Sequence, residues 1–109
     1  MISKMANDVF KALAHPLRRD IVERLSGGVA TVGEVSRDFG VSKPTVSRHL
    51  KLLEDAGVVD RVIEGRTHRL ALRPRALAET SDWLETQRER WERLFAVVGD
   101  YLEERKEQQ

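Results

Sequence analysis

Two short helical patterns separated by three residues constrain this chain more than any other feature in it. In TVGEVSRDFGVSKPTVSRHLKLLEDAGVV, residues 31–59, Val35 and Phe39 mark one apolar stripe, and Val46, Leu50 and Leu53 mark a second at i, i+4 and i+7. Only Gly40-Val41-Ser42 joins them. Thr31 followed by Glu34 matches a capping box that opens the first stretch. Gly40 supplies the left-handed residue that closes it. Ser42 caps the second stretch, and Pro44 falls in its first turn, where a missing N–H costs nothing. Two helices joined this tightly must cross, with Val35, Phe39, Val41 and Val46 packed between them.

The flanks complete the pattern. Met5, Val9, Phe10 and Leu13 predict a helix over roughly 4–14, ended by His15-Pro16 because a residue before proline avoids the α region. A second helix turns Leu17, Ile21, Val22 and Leu25 inward and Arg18, Arg19, Asp20, Glu23 and Arg24 outward, and Gly27-Gly28 stops it. After Gly57, a β-branched run over 58–63, a turn at Gly65 and alternation over 67–72 predict a β-hairpin. From Pro74 to Lys106 only Gly99 interrupts a long closing helix. The expected fold is mainly α with a β-hairpin wing: a winged helix-turn-helix, in one domain spanning 1–109.

The second helix of the motif begins with its poorest helix formers. Short side chains there let the backbone approach a DNA major groove, and free N–H groups at that end favour phosphate oxygens. With Val46, Leu50 and Leu53 inward, Ser42, Lys43, Pro44, Thr45, Ser47, Arg48 and Lys51 become candidate DNA contacts. Lys43 or Arg48 can donate to guanine, Ser47 can serve either base edge, and Lys51 suits a phosphate. Arg61 and Arg66 of the hairpin join them, Arg66 near the minor groove. Charge agrees. The whole chain is +1, but residues 41–73 hold seven Lys/Arg against four Asp/Glu, and residues 74–109 hold six against nine.

The closing helix carries a seven-residue repeat in Leu77, Leu84, Trp91 and Val98, with Thr80 or Ser81, Gln87 or Arg88, Phe95 and Leu102 between. A 109-residue domain has too little core to hide that stripe, so a second copy of the chain is expected to cover it. Arg88 is expected to pair with a glutamate across that seam. Residues 3–73 then read as the DNA-binding core and 74–106 as the dimerisation helix.

Other chemistry finds little support. Cysteine is absent, which excludes disulfides and thiolate metal sites. His15, His49 and His68 fall in three elements: His15 capping or packing before Pro16, His49 half-buried beside Leu50, His68 on an exposed strand position. No metal, cofactor or catalytic residue is expected; there is no phosphate loop or nucleophile motif. Without an apolar run of about 18 residues or a secretory core, no membrane insertion and a cytoplasmic location are expected. A winged-helix module for protein partners and a metal-responsive repressor with an atypical site are the alternatives.

VFKALAHPLRRDIVERL, the 31–59 stretch and EGRTHRLAL together resemble the ArsR family (ArsR/SmtB) of small bacterial transcriptional regulators, from about Val9 to Leu72. The tail WLETQRERWERLFAVVGDYLEE is similar to members without metal ligands, autorepressor-like ones among them. The resemblance implies a homodimer built on the first and last helices, adding Met5 and Val9 to the interface. It also implies repression from an imperfect palindrome, with base contacts from Lys43, Pro44, Ser47 and Arg48. An unidentified inducer, a protein antagonist and control by concentration alone all stay open as the release signal.

Overall fold

The computed structural model describes residues 1–107. Four helices come first, α1 (Lys4–Ala12), α2 (Pro16–Ser26), α3 (Val32–Phe39) and α4 (Lys43–Asp55), with a two-residue strand β1 (Ala30–Thr31) just before α3. Strands β2 (Val59–Glu64) and β3 (Thr67–Leu72) form the hairpin, and α5 (Pro74–Glu107) closes the chain. This is the winged helix-turn-helix order, with two departures from expectation. The first helix ends two residues early, because Leu13 leaves helical geometry ahead of His15-Pro16. The hairpin is also the larger part of a three-stranded sheet in the order β1-β3-β2. Ala30 pairs with Leu70 and Thr31 with Arg69, which stitches the start of α3 to the base of the wing.

Each cap follows from a side chain of the right length. The Ser3, Thr31 and Ser42 hydroxyls accept from the N–H groups of Ala6, Glu34 and Thr45 at 3.1, 3.1 and 3.3 Å. His15 does the same for α2, its Nδ1 accepting from the Leu17 N–H at 3.1 Å. Between α3 and α4, Gly40 takes φ 62°, a left-handed conformation that costs L-residues about 1 kcal/mol or more. The Val41 N–H then returns to the Ser36 carbonyl at 3.2 Å, and the Ser36 hydroxyl donates to the Val41 carbonyl. The crossing of the two helices is thus held from both strands of the turn.

Val9, Ile21, Leu25, Val35, Val46, Leu50, Leu53, Val58 and Leu70 form the core under the sheet. Val9 is fully buried there. Its expected place at a dimer interface is therefore corrected: the side chain is enclosed by its own chain, because α1 packs its Val9 face onto the core. Leu50 lies at the centre, also fully buried, on the helix that carries the candidate DNA contacts. Leu50→Ala is expected to lower unfolding free energy by about 2–5 kcal/mol in urea denaturation. A loss under about 1 kcal/mol would contradict this packing.

The last helix does not fit the body. At about 1.5 Å per residue its 34 residues span about 51 Å, and the chain measures 73 × 27 × 21 Å. The radius of gyration is 20.0 Å, where a compact chain of this length would give about 13 Å. Only the first turns of α5 pack. Ala76 and Thr80 are buried, and Trp83 meets Phe10 of α1 edge-to-face with ring centres 5.6 Å apart. From Arg88 to Glu107 every residue is exposed.

A candidate nucleic-acid interface

The N-terminal half of α4 stands clear of the body. Ser42, Lys43, Pro44 and Arg48 are exposed, with Thr45 and Ser47 half-buried beside them. The Ser42 and Thr45 hydroxyls lie 2.9 Å apart, and Arg48 reaches back to the Thr45 Oγ1 at 3.5 Å. This row holds the first turn in shape and leaves the Arg48 fork facing outward. Lys51, a turn further on, makes a loose 3.6 Å pair with Asp55 and stays exposed.

Opposite this row, the wing turns over at Gly65, with φ 61°, and presents Arg66. Lys43, Ser47, Arg61, Arg66 and His68 border one cleft of about 440 Å³ between α4 and the wing, closed at its end by the first turn of α3. Four of the nine expected contacts thus share a single concave surface. Ser42, Pro44, Thr45 and Arg48 lie outside its lining, at the cap and in the first turns of α4, and Lys51 continues the same helix.

Arg61 departs from expectation. Its Nε and an Nη donate to the Glu54 Oε1 at 3.0 and 2.6 Å, and the other Nη lies 3.1 Å from the His68 Nδ1. With a side chain only 18% exposed, the guanidinium is committed within the protein and is not free for DNA. His68, expected to be exposed, is half-buried beside it. Arg88 is likewise satisfied within its own helix, with Glu85 and Glu92 both at 2.5 Å, so it needs no partner across a seam.

The other histidines buttress α4 from behind. The His49 Nδ1 is 3.2 Å from an Arg18 Nη, and its ring centre is 4.5 Å from that of His15. Arg18 also donates from Nε to the Ala12 carbonyl at 2.5 Å, tying α1, α2 and α4 together. Burial, then the neighbouring His15, Arg18 and Arg48, hold the His49 pKa below the ordinary 6.5. As pH falls through 6.5, the unfolded chain therefore takes up this proton before the folded one, and folded stability drops. The thermal midpoint should decline between about pH 7.5 and 5.5, and His49→Gln should flatten that decline. Parallel curves for the two proteins would contradict the assignment. Among the described residues, no group of three or more His, Cys, Asp or Glu side chains could hold a metal ion. No helix among them is long and apolar enough to cross a membrane.

Sequence reasoning missed several contributors. Ser36, which locks the helix crossing, gave no signal because its acceptor lies five residues on, in an irregular turn. Leu94 and Tyr101 are exposed on α5 beside Phe95 and Leu102. Their spacing from Trp91 and Val98 could have revealed them.

A helix-turn-helix with a free, capped and basic second helix, facing a basic hairpin across a cleft, defines a winged helix-turn-helix DNA-binding protein. Residues 13–62 match a family model described as a helix-turn-helix domain. The chain is 36% identical over 78 residues to the transcriptional repressor SdpR of Bacillus subtilis, covering 72% of this chain and 87% of that protein. A crystal structure of an ArsR family transcriptional regulator superposes with a TM-score of 0.76 at 35% identity, over 84% of this chain and 97% of that one. The homodimeric winged helix-turn-helix DNA-binding domain of a Mycobacterium bovis protein gives 0.61 at 26% identity, over 96% of this chain and 84% of that one. The chain belongs to the ArsR family of transcriptional regulators. It is a DNA-binding transcriptional repressor of that family.

Proposed function

We propose that this repressor acts as a homodimer on a palindromic promoter operator, each subunit laying the start of α4 in a major groove and its wing beside the adjacent minor groove. Residues 3–73 are the DNA-binding core and 74–106 the dimerisation helix. Lys43, Ser47 and Arg48 read bases, Ser42, Pro44 and Thr45 bring the backbone close, and Lys51 and Arg66 neutralise phosphates. Met5, Leu77, Leu84, Trp91, Phe95, Val98 and Leu102 face the second subunit, and Val9 supports them from beneath. The observation that carries this reading is the shared cleft: Lys43 and Arg66 border it from two elements, and Glu54 neutralises the one other arginine there.

Salt tests it. With four phosphate-neutralising side chains per dimer, Lys51 and Arg66 of each subunit, affinity for promoter DNA should fall about 10²-fold between about 50 and 200 mM salt. A loss under about tenfold by fluorescence anisotropy would contradict groove binding and favour a protein partner for this surface.

A further inference from the structure

Arg61 occupies the position where the core ends and the wing begins. Val59, Arg61 and Ile63 share one face of β2, opposite Leu72, Leu70 and His68 of β3. Val59 and Leu70 are buried, while Ile63 is 62% exposed. An apolar residue at 61 would only extend the core face. The arginine instead reaches off the sheet to Glu54 near the end of α4, and across the hairpin to His68.

We propose that Arg61 and Glu54 are a positioning pair that fixes the angle of the wing against the recognition helix and so places Arg66 on DNA. The idea rests on the DNA-binding reading above. A guanidinium with two donors on one carboxylate and a third on a ring nitrogen is directional, and a Lys ammonium cannot reproduce that fork. A partly exposed pair of this kind adds little to stability, so its main effect is on orientation. Val62 to Thr67, the part of the hairpin beyond this pair, is exposed and has no other such tie to α4 among the described residues. Glu54 brings a carboxylate to the edge of a surface meant for a polyanion. As a repellent charge it would weaken binding; as the anchor of Arg61 it strengthens it.

That opposition of signs supplies the test, made on the whole 109-residue chain with promoter DNA and, in parallel, by hydrogen exchange on the free protein. Glu54→Ala is expected to speed amide exchange over 62–67 and to weaken operator binding at least about fivefold, although it removes a negative charge. Arg61→Lys should behave like Arg61→Ala, since charge alone does not hold the fork. Adding Glu54→Ala to Arg66→Ala should cost nothing further, because both act through one contact. Unchanged exchange in Glu54→Ala would overturn the positioning pair. So would operator binding that tightens or stays the same, or an Arg61→Lys protein that binds like wild type. A wild-type protein that binds no DNA would show instead as failure of the functional reading, and would overturn the pair's role with it.

Discussion

A chain carrying Trp91→Glu and Phe95→Glu is expected to sediment as a monomer and to bind its operator about 10²- to 10⁴-fold more weakly than wild type. Trp91 and Phe95 are 52% and 71% exposed, on the stretch of α5 from Arg88 onward where every described residue is exposed. Leu94, Val98, Tyr101 and Leu102 continue the same stripe. A face this apolar is seldom left in water by a folded protein. Burying it against a second copy stabilises both helices, and two carboxylates in that seam would lie unpaired in a dry contact. The loss in DNA affinity follows from valency. Two half-sites held by one dimer raise affinity by an effective concentration that a monomer forfeits, though each half-site contact is unaltered. Because the core of Val9, Ile21 and Leu50 lies elsewhere, the monomer should keep its fold by circular dichroism. A variant that remains dimeric, or a monomer that binds as tightly as wild type, would contradict the role assigned to α5.

The second large effect belongs to Arg48. Arg48→Ala should cost about 1–3 kcal/mol at each half-site and relax preference at one base pair in each. In a symmetric dimer that cost is incurred twice, so the operator should lose more than one base-pair mismatch would suggest. Lys51→Ala is the counterpart. Its loose pair with Asp55 leaves the ammonium free to move to phosphate, so the substitution should weaken all sequences alike and reduce the salt slope. Binding selections on randomised operators separate the two. If Arg48→Ala keeps the wild-type sequence preference, base reading lies with other residues.

The helix-turn-helix was legible because its signals are local. Thr31, Gly40 and Ser42 each act within a few residues of themselves, and the stripe of Val46, Leu50 and Leu53 follows from helical geometry alone. What escaped was non-local. Ala30-Thr31 is too short to show alternation, and it becomes a strand only because β3 lies alongside. The Arg61 fork closes on Glu54 across the turn at Gly57, so a hairpin arginine that looked free is bound from behind. The family resemblance places Val9 at the interface, and only the packing of α1 on the body decides which side of the helix is inside. At the candidate site, Lys43, Ser47 and Arg66 could be named from sequence, but their meeting around one cleft needed the fold.

Hydroxyl-radical footprinting of the purified protein on its own promoter region and those of adjacent genes tests the central claim most directly. Two protected blocks related by symmetry should appear, their centres separated by about 10–10.5 base pairs or a whole multiple of that spacing. A single protected block filled by one chain, or no protection at saturating protein, would contradict paired docking of α4 in successive grooves.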